Sequence, residues 1–144
     1  MEHIDSIQTN NLKKYPLVMQ KKKNDCGIAC LEMICQYYAV KPDKIAFENI
    51  RFHKNGISIE AMVNALKIIG FQSIAVSLEK YSLLNDIALP AIACIKLLSE
   101  KLYHYIVIYE IVDSIIIYAD PANGIKKKDL EQFYDSFTGE LIII

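Results

Sequence analysis

The chain has 144 residues, about one domain's worth of sequence, and is 53% apolar with 16 basic against 17 acidic residues, a formal net charge of -1. That balance, with no basic run longer than Lys21-Lys22-Lys23, lacks the electrostatic footprint of a DNA- or RNA-binding protein. The longest apolar stretch, Tyr105 to Ala119, is 15 residues interrupted by Glu110, Asp113 and Ser114, too short and too polar to span a bilayer.

Met1 to Asn10 is polar and has no apolar core of the kind a secretory signal needs, which points to an intracellular domain with a polar tail over about residues 1–14. Asp25 is placed to cap a helix from Cys26 to Ala39, in which Ala29, Met33 and Tyr37, with Cys30, Ile34 and Tyr38 beside them, recur every four residues. Pro42 to Ile50 reads as a short second helix and Asn55-Gly56 as a turn. Ser58 then caps a third helix with apolar Ile59, Met62, Val63, Leu66 and Ile69, closed by Gly70.

From Phe71 the period changes to two. Ile74, Val76 and Leu78 alternate, Pro90 introduces Ala91 to Leu98, and Tyr103 to Ile111 and Ser114 to Ala119 are rich in Ile, Val and Tyr, all strand signatures. Asp120-Pro121-Ala122-Asn123-Gly124 is a turn, Asp129 to Phe137 a last helix, and Glu140 to Ile144 a terminal strand after Thr138-Gly139. Helices followed by consecutive strands predict an α+β fold with an antiparallel sheet, one domain over residues 1–144. The abrupt apolar end at Leu141-Ile142-Ile143-Ile144 carries the expectation that the natural chain continues.

Four cysteines (Cys26, Cys30, Cys35, Cys94) are too few for a disulfide scaffold, leaving nucleophilic chemistry, metal ligation or packing. At about 100° per residue, Cys35 lies about 140° around the helix from Cys30, so the three helical thiols cannot converge on a metal. No CxxC pair is present either, so no metal is expected, and Cys30, Cys35 and Cys94 read as packing. Cys26 stands at a helix start, where unpaired N–H groups and the positive end of the dipole favour a thiolate nucleophile. A buried structural cysteine is the alternative for a lone thiol.

A nucleophile needs a base. His3 lies in the polar tail and His53 in a polar loop, whereas His104 opens a strand that is apolar on both faces, a costly place for a titratable ring unless a partner holds it. A hairpin closing over Ile111-Val112-Asp113 pairs Glu110 with Ser114 and, six residues further along each strand, His104 with Asp120, close enough for a carboxylate to accept the imidazole N–H. A slip by one residue would put them on opposite faces. Asp before Pro is also an ordinary turn former. Gln20, six residues before Cys26, is a candidate oxyanion-hole donor, and Lys21 to Lys23 read as solvated.

With these residues in place, the sequence resembles the bacteriocin-processing cysteine peptidases, the N-terminal domains of peptidase-containing ABC transporters. The segment Gln20-KKKND-Cys26-Gly27-IACLEMICQ-Tyr37-Tyr38, the stretch NGISIEAMVNALKIIGF with the LPAIA after it, His104-Tyr105-IVIYEI and Asp120-Pro121-Ala122-Asn123-Gly124 match the family's motifs in order over nearly the whole chain. Phe137 stands where the family commonly has Trp.

The resemblance implies a papain-like fold and a cysteine peptidase with Cys26 as nucleophile, His104 as general acid and base, Asp120 orienting the ring and Gln20 in the oxyanion hole. It needs no cofactor. The implied substrates are bacteriocin, lantibiotic or quorum-sensing precursors with double-glycine-type leaders, cut at the cytoplasmic face of the bacterial cell membrane. The implied partners are the transmembrane and nucleotide-binding domains of the transporter, into which the natural chain would continue. A second reading is a degenerate domain that docks export substrates without cutting them, and a third is an unrelated cysteine hydrolase or transferase.

Overall fold

The computed structural model describes residues 15–42, 47, 56–79, 84–97 and 102–144. The polar tail with His3, the second helix save Phe47, and the loop with His53 lie outside the described residues.

The first helix, α1 (Cys26–Tyr37), buries Cys30, Leu31, Met33 and Ile34 completely, the four-residue recurrence expected of it. Two of its ends differ from expectation. Asp25 does not cap the helix: its Oδ2 accepts instead from the Lys22 N–H at 3.1 Å, closing the turn that leads in. The helix also stops at Tyr37 rather than Ala39. Ala39 takes the left-handed conformation (φ 54°), with Val40 N–H donating to Cys35 O at 2.8 Å and Ala39 N–H to Gln36 O at 3.1 Å. This is a Schellman ending built on alanine, and no glycine announces it.

The next helix, α2 (Ile59–Ile69), follows its signals closely. Ser58 Oγ accepts from Ala61 N–H at 3.1 Å, and Gly70, at φ 119°, lets Phe71 N–H reach Leu66 O at 2.8 Å.

Six strands form one antiparallel sheet in the order β1-β6-β2-β3-β4-β5: β1 (Ile74–Ser77), β2 (Ala91–Leu97), β3 (Leu102–Val112), β4 (Ile115–Asp120), β5 (Gly124–Asp129) and β6 (Phe137–Ile143). The helices α1 and α2 cover one face, where Leu31, Ile34, Met62 and Leu66 pack with Ile92, Val107, Tyr109, Ala119 and Ile142. On the other face Ile106, Ile108, Ile116, Tyr118 and Leu141 pack with Leu84 and with Phe133 of a short helix, α3 (Leu130–Tyr134). Covering both faces is why β2, β3 and β4 read as nearly continuous apolar runs rather than alternating ones.

The C-terminal elements differ from the sequence reading in two places. The last helix is five residues, not Asp129 to Phe137, and Phe137 already belongs to β6. Strand β5 was not expected, because Ile125-Lys126-Lys127-Lys128 has no apolar alternation; its lysines face solvent on a sheet edge.

The β3–β4 hairpin also departs from expectation. It closes over two residues, Asp113 (φ 52°) and Ser114 (φ 63°), a pair of left-handed residues that suits the twist of the flanking strands. Near the turn Ile111 faces Ile116, but a bulge between Ile108 and Glu110 shifts the register so that Ile108 faces Tyr118 and Val107 faces Ala119. His104 and Asp120 are therefore not direct partners. Continued to the end of β4, this register leaves them diagonal, two positions apart, and still on one face of the sheet.

Candidate active site

Cys26 is the first residue of α1, and the chain around it is tightly held. A Cβ on Gly27 would overlap Ile57 Cγ2, so glycine is what lets the start of α1 approach the segment before α2. Because the Asp25 carboxylate is turned to Lys22, it does not occupy the first N–H groups of the helix. Burial pushes the Cys26 thiol up, but a hydrogen bond with the His104 ring, the Tyr105 N–H, the charge of His104 and the Gly27 N–H together outweigh it and bring the thiol below its ordinary value.

His104 and Asp120 are the buried polar residues of the described sheet, 6% and 5% exposed. His104 Nε2 lies 2.6 Å from Asp120 Oδ1, which leaves Nδ1 as the nitrogen available to the thiol. Burial alone would favour the neutral ring. The hydrogen bonds to Asp120 and Cys26, together with their charges, override it and raise His104 from 6.5 to about 9. For Asp120 the balance runs the other way: burial raises the carboxyl, and His104, Asn123 and the Ala122 N–H lower it below its ordinary value. These directions agree on one charge distribution, a thiolate and an imidazolium beside a carboxylate.

The Asp120-Pro121-Ala122-Asn123-Gly124 turn does more than reverse the chain. Ala122 N–H donates to Asp120 Oδ1 at 2.8 Å and Asn123 Nδ2 to Oδ2 at 3.1 Å, so both oxygens of the buried carboxylate are engaged. Gln20 N–H donates to Pro121 O at 2.9 Å, tying the segment that leads into α1 to the acid's turn.

Gln20, Cys26 and His104 open on one cleft of about 1200 Å³, lined also by residues of β2, the start of β3 and the α3–β6 connection. The Gln20 amide is engaged with nearby main chain. Its Nε2 donates to Lys22 O at 3.1 Å and Lys23 O at 3.3 Å, while its buried Oε1 has no partner.

Cys30 and Cys35 are buried in α1 and both are raised by burial; Cys30 sits wholly within the core. Cys94, read from sequence as packing, lines the same cleft as Cys26, and burial lifts it to about 11, so it is a poor nucleophile near neutrality. Four contributors escape the sequence reading. Three are main-chain groups, the N–H of Tyr105, of Gly27 and of Ala122, and have no side-chain signature; the fourth, Asn123, stands in the quoted motif, where it reads as turn chemistry.

A thiol at a helix start, an imidazole that can take its proton and a buried carboxylate on the ring's far side can sustain a thiolate at neutral pH, the chemistry of a cysteine hydrolase. The Peptidase C39 family profile matches residues 14–144, and the chain belongs to that family.

Among its relatives, the SPbeta prophage-derived sublancin-168-processing and transport ATP-binding protein SunT of Bacillus subtilis (strain 168) is 29% identical over 139 residues, 92% of this chain and 19% of that protein. The lactococcin-G-processing and transport ATP-binding protein LagD of Lactococcus lactis subsp. lactis is 31% identical over 132 residues, 88% of this chain and 18% of that protein. The chain thus spans about a fifth of the length of these relatives, 19% and 18%.

Among solved structures, the peptidase domain of Streptococcus ComA, a bi-functional ABC transporter involved in a quorum sensing pathway, superposes with a TM-score of 0.76 at 26% identity, covering 90% of this chain and 96% of that one. A double glycine motif protease from an AMS/PCAT transporter, in complex with the leader peptide, shares the fold at a TM-score of 0.77 and 24% identity, covering 89% of each chain. The papain-like α+β architecture implied by the resemblance is the one these neighbours carry. Among the described residues, no helix is long and apolar enough to cross a membrane.

Proposed function

We propose that this domain is a leader peptidase that cuts after a double-glycine-type leader in bacteriocin, lantibiotic or quorum-sensing precursors, using Cys26, His104 and Asp120. The observation that carries the chemistry is the buried relay from Asp120 Oδ1 to His104 Nε2 at 2.6 Å, with the Cys26 thiol on the ring's other side. What supports the substrate class is membership of the Peptidase C39 family and the processing-and-transport names of relatives such as the sublancin and lactococcin G proteins. The neighbour held with a leader peptide is consistent with it.

In this reading the Cys26 thiolate attacks the carbonyl of the second small residue, and the helix-start N–H of Cys26 meets the developing oxyanion. Gln20 joins it as second donor once its amide turns from the Lys22 and Lys23 carbonyls, a rearrangement that substrate binding must drive. His104 gives its proton to the leaving amine, then deprotonates the water that opens the thioester, while Asp120 keeps the ring oriented and stabilises its charge. No step calls for a metal or cofactor. The domain works on the cytosolic side of the membrane as the N-terminal part of an ABC transporter, beside its membrane and nucleotide-binding domains.

The test is mass spectrometry of a double-glycine leader peptide, and of the same peptide with both glycines replaced by leucine, after incubation with the domain. A single cut after the second glycine, absent from the leucine peptide, is expected. Cutting of both peptides would move the site to the general cysteine hydrolases, and binding without any cut would make the domain a docking module.

A further inference from the structure

We infer that Asn123 is a positioning residue for this site: its side-chain amide clasps Asp120 Oδ2 at 3.1 Å and so keeps Oδ1 turned to His104. The inference rests on the Cys26–His104–Asp120 reading above and goes one layer outward from it.

A carboxylate presents two equivalent oxygens and exchanges them by rotation about one bond. Asp120 Oδ1 already carries two donors, His104 Nε2 at 2.6 Å and the Ala122 N–H at 2.8 Å. Both pull on the same oxygen, and neither resists a swing of the group about that point. A donor on Oδ2 does, and the donor present is Asn123 Nδ2. The turn itself sets that donor in place. Asn123 N–H donates to Asp120 O at 3.1 Å, and Gly124, at φ 97°, returns the chain to pair with Asp120 as β5 begins. Acid and clasp therefore sit three residues apart on one rigid reversal.

An Asn side chain in a turn ordinarily hydrogen-bonds its own nearby backbone. Here the amide is spent on a buried carboxylate instead. The titratable groups coupled to the relay are Cys26, His104 and Asp120 themselves, Cys30, Cys94 and Tyr105 around the thiol, and Tyr118 beside the acid.

The experiment compares wild type, Asn123→Ala and the isosteric Asn123→Asp in two assays: kcat/KM on a double-glycine leader peptide, and the pH dependence of Cys26 alkylation by iodoacetamide, with thermal melting to confirm folding. Asn123→Ala is expected to lose about tenfold in kcat with little change in KM, since one hydrogen bond to a charged group is removed. Its alkylation midpoint rises, because a looser carboxylate supports the imidazolium less and the thiolate with it. Asn123→Asp keeps the shape, loses the donor and sets two carboxylates together, so it loses at least as much.

An Asn123→Asp protein with wild-type turnover and midpoint would overturn the inference, as would an Asn123→Ala midpoint that stays put or moves down. Alkylation reads the site without any substrate, which separates the two layers. A wild-type midpoint at the ordinary thiol value would sink the nucleophile reading itself, whereas a lowered midpoint shared by all three proteins would sink only the role of Asn123.

Discussion

Replacing Asp120 by Asn removes the charge behind His104 while nearly preserving volume. In the folded protein Oδ1 accepts from His104 Nε2 and from the Ala122 N–H, and Oδ2 from Asn123 Nδ2. The new amide must keep its carbonyl toward His104, because the reverse orientation would point an NH2 at two donors. Its NH2 then faces the Asn123 amide, donor against donor.

His104 is held at about 9 by Asp120 and Cys26 against a burial cost that favours the neutral ring. With the carboxylate charge gone, the thiolate and a weaker bond to a neutral carbonyl are left to oppose burial. The ring's pKa is expected to fall from about 9 toward 6.5, and the Cys26 thiol to rise in step. The thiolate–imidazolium pair exists only between the Cys26 and His104 values, so its window narrows from both sides. Each unit lost is about tenfold in the population of the active form, giving roughly 10- to 100-fold in kcat/KM on the alkaline side of neutrality. The assay is kcat/KM for leader cleavage from acid to alkaline pH, with iodoacetamide labelling of Cys26 in parallel. An alkaline limb that stays near 9 in Asp120→Asn, with kcat/KM within about twofold of wild type, would refute the reasoning that Asp120 sets the charge of His104.

Gln20→Ala is expected to lower kcat more than it changes KM, by about tenfold or more, because its donor engages only as the oxyanion forms; single-turnover rates on the leader peptide check this. Gly27→Ala forces a Cβ into Ile57 Cγ2 and should destabilise the domain by about 1–3 kcal/mol, read from urea denaturation midpoints. Ala39→Gly should do the opposite, stabilising by about 0.5–1 kcal/mol in the same assay, since it relieves an alanine held at φ 54°.

The candidate site was legible because each of its side chains carries a local reason to be where it is. Cys26 follows a turn and opens an apolar-periodic helix, and His104 is a titratable ring in a strand covered on both faces. The pairing of His104 with Asp120 was legible only in part, and the structure shows why. A two-residue turn at Asp113-Ser114 by itself sets the two on opposite faces; the bulge at Tyr109 adds one residue and brings them back to the same face. Parity survived where register did not, because neither a bulge nor a left-handed Asp-Ser turn has a strong sequence mark. Strand β5 was hidden for a different reason: three lysines on a sheet edge bury nothing, and only pairing with β4 makes them a strand. At Asp25 the side chain had two backbone donors within reach, the helix start and Lys22, and sequence alone does not choose between them. Gln20 and Asn123 each place their amide within their own turn, on the Lys22 and Lys23 carbonyls and on Asp120, and sequence alone does not choose these partners over solvent; the main-chain bond between the two turns, Gln20 N–H to Pro121 O, has no local pattern at all.

The central claim is that the Cys26 thiolate breaks the peptide bond. The most direct test is mass spectrometry of a double-glycine leader peptide incubated with wild type and with Cys26→Ala, which removes the sulfur and leaves the His104–Asp120 contact intact. The account predicts a single product cut after the second glycine with wild type and none with Cys26→Ala. Cleavage by Cys26→Ala at the wild-type rate would contradict it.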